Sequence, residues 1–228
     1  MCTYYEYGYR KVRILEWFLK TEYRQLLLSA VVIAFAFSLR YIFRYIALGR
    51  LTLGLEYISA TVLAVILAFV PHELFHRFVA RKLGYYARYR VWLLGLALAI
   101  IFPLLTFGGF IFAAPGAVVV YPKYPFGYID RKDYGLIAVA GPLANLIVGY
   151  VAMIAFFLVR TFIPFYYLLA ITLFIIMEIN LWLAMFNLIP FPPLDGSKVF
   201  AWSKTMWLFA FILAAIPSFI ILYGLRFL

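Results

Sequence analysis

Apolar residues run along this chain in stretches of twenty or more, parted by short polar clusters, which is the pattern of helices that cross a bilayer. One stretch covers residues 26–48, a second about 57–83, and three more cover 134–159, 162–188 and 206–225. Each is long enough to traverse ~30 Å of hydrocarbon as a helix. Residues 91–120 are as apolar, but Pro103, Gly108-Gly109 and Pro115-Gly116 interrupt them, and residues 122–133 read as a polar turn region. The expected fold class is therefore an all-α polytopic membrane protein of about five to six transmembrane helices, with a re-entrant or β-strand segment near residues 91–120.

Composition strengthens this reading. The 228 residues are 68% hydrophobic with a mean hydropathy of +1.01, against roughly 45–50% apolar content in soluble domains. The net charge of +11 does not point to nucleic acid, because Lys and Arg flank the apolar runs in short clusters instead of lining one polar face. They read as topology signals and contacts to lipid headgroups, so the bilayer is the expected partner. Residues 1–25 hold Arg10, Lys11, Arg13, Lys20 and Arg24 with Glu6, Glu16 and Glu22. Without the core of a cleaved signal peptide, they are expected to be a retained cytoplasmic or interfacial segment. Residues 26–228 are expected to be a single membrane-embedded domain with no appended soluble module. Arg40 and Arg44, one turn apart near the far end of the first span, are placed to snorkel. The single cysteine, Cys2, has no intramolecular partner and is assigned no role.

The chemistry gathers at His72-Glu73-Leu74-Phe75-His76 in the second apolar run, which contains both histidines of the chain. Helical residues at i and i+4 share a face, so both imidazoles can meet one Zn2+ while Glu73 acts on a water. Ionisable residues in hydrocarbon-length sequence are costly and functional by default. Pro71, directly before His72, suggests a local bend. Arg77, Arg81, Lys82, Arg88 and Arg90 follow without an acid and place this helix end in the cytoplasm. A catalytic zinc needs a third protein ligand. Asp195 is the first candidate: Pro190, Pro192 and Pro193 end the preceding helix, so Leu194-Asp195-Gly196 is expected to be a turn that fixes a carboxylate. Glu178, inside the preceding span, is the competing ligand.

HELFH in a membrane helix, then Gly141-Pro142-Leu143-Ala144-Asn145, then FNLIPFPPLDG ending at Gly196, resembles the site-2 protease family of intramembrane zinc metalloproteases. The resemblance covers about residues 55–200. It implies that His72, His76 and Asp195 bind one Zn2+ per chain, that Glu73 is the general base, and that Asn187 holds the substrate or the oxyanion. Asn145 also falls on a family motif and is expected at the substrate. The family often reads Asp-Gly-Gly where this chain has Asp195-Gly196-Ser197, and the chain shows no PDZ-like module. The implied partners are transmembrane protein substrates, with the protein an integral component of a prokaryotic cell membrane and its N-terminus cytoplasmic.

Topology tests this independently. The histidine pair and Asp195 both lie at carboxyl ends of helices, so these ends must share a side. With 134–159 as one crossing between them, residues 91–120 must re-enter. Fifteen of the twenty Lys and Arg then fall on the cytoplasmic side, against twelve if residues 91–120 cross fully. The positive-inside rule prefers the first arrangement. A helical substrate must unwind to be cut, and the unwound strand needs a hydrogen-bonding edge. Residues 110–120, with Phe110, Ile111 and Phe112, are expected to offer one, and Asn180 shares a helical face with Asn187 to bind peptide carbonyls. A metal transporter would spread ligands along a path, and an inactive scaffold would lack the base or a ligand. Neither fits this set of residues as well as a hydrolase.

Overall fold

A computed structural model describes residues 21–124 and 127–224. Its order is α1 (Glu22–Ala47), α2 (Leu51–Lys82), β1 (Tyr86–Val91), α3 (Leu93–Leu105), β2 (Gly116–Tyr121), α4 (Arg131–Phe162), α5 (Tyr167–Asn187), α6 (Asp195–Trp202) and α7 (Lys204–Gly224). Five helices are long and apolar enough to cross a membrane: α1, α2, α4, α5 and α7. The chain is an all-α polytopic membrane protein with one small two-stranded sheet. Most of the expected N-terminal segment, with Cys2, lies outside the described residues. The first span begins at Glu22 and takes in Arg24 and Gln25, which had been expected to precede it.

The central helices meet through small residues. Ala60, Ala64 and Ala68 of α2 and Ala152 of α4 pack with Ile175, Leu181 and Ala184 of α5 in the main core, as expected where backbones approach closely in lipid. The helix α2 runs as one 32-residue element through Pro71.

Residues 91–120 do not cross. β1 and β2 pair antiparallel from Tyr86↔Tyr121 to Val91↔Gly116, so the chain leaves and returns at one place. Between them α3 has 13 residues, about 20 Å of helix and too short to span. The edge element is also displaced from the expected one. Phe110–Ala114 is irregular, and the strand proper is Gly116–Tyr121. β1 had been read only as a basic cluster, although Ala87, Tyr89 and Val91 alternate with Arg88 and Arg90 in the period of a half-buried strand.

The outer edge of β1 is closed by α1. Glu22 Oε1 accepts the backbone N–H of Tyr89 (3.0 Å) and Gln25 Oε1 that of Val91 (2.9 Å). These N–H groups therefore point away from β2, and the register makes Arg88↔Val119 and Arg90↔Ala117 the hydrogen-bonded pairs. On β2 the backbone groups of Gly116, Val118 and Val120 consequently face the opposite edge, which no strand among the described residues pairs.

The ion pair of Arg40 with Glu178 revises two expectations. Arg40 Nη1 and Nη2 lie 3.0 Å from Glu178 Oε1 and Oε2, and Nη2 also donates to the Tyr41 hydroxyl. Arg40 thus ties α1 to α5 instead of merely snorkelling, and Glu178 is committed to it instead of to a metal.

Candidate metal centre

His72, Glu73 and His76 are all buried, on the carboxyl-terminal half of α2. The helical turn brings the two Nε2 atoms to 3.0 Å. Each ring is held from behind by α4. His76 Nδ1 lies 2.7 Å from the Ile137 carbonyl oxygen, which can only accept, so Nδ1 carries the proton. His72 Nδ1 lies 2.6 Å from Asn145 Oδ1. The Asn145 amide is oriented by its Nδ2, which donates to the Ala68 carbonyl (2.9 Å) and to Asn180 Oδ1 (3.1 Å). His72 Nδ1 is therefore also a donor, and both Nε2 atoms are left as lone pairs.

Asp195 completes the group. Its Oδ2 lies 3.0 Å from His76 Nε2 and 3.4 Å from His72 Nε2. The other oxygen, Oδ1, accepts from Lys198 Nζ at 2.9 Å. The three ligand atoms fall within 4.8 Å of one another. With both rings neutral, three lone pairs converge here, an arrangement that a metal ion or a proton on one imidazole relieves. Two imidazoles and one carboxylate are moreover the donor set of a catalytic zinc with an open position. Burial pushes the Asp195 carboxyl up, but His76 and the Lys198 ammonium outweigh it and hold the carboxyl well below the usual carboxylate range. A ligand that stays ionised suits a metal.

Local structure explains how Asp195 arrives there, and it corrects the expected turn. The three prolines do stop α5, but Leu194 is extended and Asp195 is the first residue of the new helix α6, where a carboxylate is favoured by the helix dipole. A Cβ at Gly196 would collide with the Leu188 and Ile189 carbonyls, so this glycine lets α6 start hard against the end of α5. Gly141 has a similar role at the metal group. A Cβ there would lie against Nε2 of both histidines, in the space an ion and its open position require.

A cavity of about 290 Å3 opens from this group and runs along β2 from Gly116 to Val120. Glu73, Asn187 and Lys198 line it, and Glu73 Oε2 is buried with no hydrogen-bond partner among the described residues. The expected substrate residues divide. Asn187 lies at the cavity, its Nδ2 donating to the Leu183 carbonyl at 3.0 Å. Asn145 and Asn180 stand behind His72 and not in front of it. Phe110, Ile111 and Phe112 are not among the lining residues: Ile111 is in the core, Phe112 packs against Trp92 and Phe186, and Phe110 against Phe102. Sequence reasoning missed the Ile137 carbonyl, Gly141 and Lys198. Lys198 had a signal, a base three residues after Asp195, which the expected turn concealed.

Comparison with known proteins gives a relative. Over 196 residues the chain is 37% identical to a protein of Methanocaldococcus jannaschii named "putative zinc metalloprotease", covering 83% of this chain and 88% of the relative. The chain belongs to that zinc metalloprotease family. No family model matches it, and no solved structure does. Zinc is thus the metal that the relative's name implies, and His72, His76 and Asp195 form a group that could hold it.

Proposed function

We propose that this metalloprotease is an intramembrane enzyme of the site-2 protease type. It hydrolyses a peptide bond within or beside a transmembrane segment of other membrane proteins, using one Zn2+ per chain held by His72, His76 and Asp195. The observation that carries the reading is that the metal-binding helix is itself one of the span-like helices, with the cavity running from the ligands along a strand edge unpaired among the described residues. When bound, zinc supplies Lewis acidity, acidifying water and polarising the scissile carbonyl.

The chain's own residues do the rest. Glu73, with a free buried carboxylate oxygen, takes the proton of the attacking water and delivers it to the leaving amine. Asn187 is held by its bond to Leu183, and its second N–H is available to a peptide carbonyl or the developing oxyanion. A helical substrate hides its amides in its own hydrogen bonds, so it must unwind near the site. The outward backbone groups of Gly116, Val118 and Val120 then pair with the unwound strand. Asn145 and Asn180 act through His72 by fixing its ring. The basic clusters favour a cytoplasmic N-terminus in a prokaryotic cell membrane.

The test is zinc content together with cleavage of a transmembrane substrate in liposomes. Glu73→Gln is expected to keep zinc and lose cleavage, and Asp195→Ala to lose both. A wild type that holds zinc yet cuts nothing, with Glu73→Gln indistinguishable from it, would turn the reading toward a metal transporter or a non-catalytic scaffold.

A further inference from the structure

The cavity contains a cation that the proposed mechanism does not use. Arg90 lines it, is exposed, and its side chain has no hydrogen-bond, ion-pair or ring partner among the described residues. Lys198, the other permanent cation there, is bound to Asp195. Arg90 lies on β1, paired with Ala117 of β2. Side chains alternate across a sheet, so Arg88, Arg90, Ala117 and Val119 share one face, while Ala87 and Tyr89 are buried on the other. Arg88, two residues back on that shared face, has a buried Nε with no partner. The outer face of the sheet thus presents two guanidinium groups next to one another.

We infer that Arg90, supported by Arg88, selects substrates carrying an acidic side chain on the strand that pairs with β2. This rests on the proposal that β2 receives the substrate as an added strand. Such a strand would lie ~4.8 Å beyond β2, and every second side chain of it would share the face of Ala117 and Val119. A side chain opposite Ala117 is separated from Arg90 by one methyl group. The long guanidinium stem can cross so small a residue, much as long side chains reach diagonal neighbours in a sheet. In this cavity, a carboxylate there gains a charge-assisted contact and relieves the repulsion between two adjacent arginines.

The test measures binding, not turnover. Zinc-loaded Glu73→Gln protein in detergent is titrated with apolar extended peptides that differ only by Glu, Gln or Lys at one position. All are amidated, and a further Gln peptide with a free carboxyl terminus separates side-chain from terminal carboxylates. The Glu peptide is expected to bind about fivefold tighter than the Gln peptide, the scale of one half-exposed ion pair. Arg90→Gln should erase the difference, and Arg90→Glu should invert it in favour of the Lys peptide, which a misfolded variant could not do. Equal affinities, preference only for the free terminus, or no binding of any peptide would overturn the inference. Discrimination without hydrolysis by the wild type would instead sink the protease reading and leave this one standing.

Discussion

The Nε2 atoms of His72 and His76 stand 3.0 Å apart, and in the neutral rings neither has a proton to offer the other, because both donate from Nδ1 to α4. With Asp195 Oδ2 at 3.0 and 3.4 Å, a metal ion among the three atoms would hold α2 and α6 together. Removing the metal should therefore cost fold stability as well as activity. Chelation is expected to lower the thermal midpoint, corresponding to about 4 kcal/mol when free zinc had stood a thousandfold above its Kd. An unchanged melting curve after complete zinc removal would contradict this.

Gly141→Ala should act on the same centre from the opposite wall. The added methyl would meet the Nε2 atoms of both histidines, so the variant is expected to fold and to bind zinc at least tenfold more weakly, on the scale of damage to a metal's immediate surroundings. Metal release to a colorimetric chelator measures it. Wild-type retention would mean that the helices α2 and α4 can part to admit a side chain.

Glu178 separates two readings of the acids. Because it pairs with Arg40 and not with the histidines, Glu178→Ala should keep full zinc content. It should nonetheless destabilise the bundle by up to about 1 kcal/mol, the scale of a partly exposed ion pair. The double variant Arg40→Gln with Glu178→Gln should recover part of that loss. Zinc loss in Glu178→Ala would reinstate it as a ligand.

Val118→Pro probes the free edge of β2. The N–H of Val118 faces away from β1, so proline there removes one outward donor and leaves the pairing intact. Substrate binding should weaken about two- to tenfold, as for a single hydrogen bond, with zinc content unchanged. Val119→Pro, which breaks a bond to β1, is the control expected to disturb the sheet itself. Equal effects of the two variants would argue against strand addition.

What the sequence alone determined is what depends on near neighbours. The spans follow from runs of apolar residues, and the pairing of His72 with His76 follows from a helical turn that any bilayer-crossing segment must make to satisfy its own backbone. The re-entrant course of residues 91–120 could be reached by counting crossings and charges, since sidedness is a property of the whole chain. Tertiary structure decided what depends on which groups meet across long separations. His76 reads the carbonyl of Ile137, 61 residues away, and His72 the amide of Asn145, 73 residues away. Arg40 claims Glu178 across 138 residues. Asp195 reaches the histidines because a new helix begins there, at a point where local proline rules foretold a turn. Hydrophobicity acts without direction and so is visible in composition. Hydrogen bonds and metal ligation require distance and angle, and only the packed bundle supplies those.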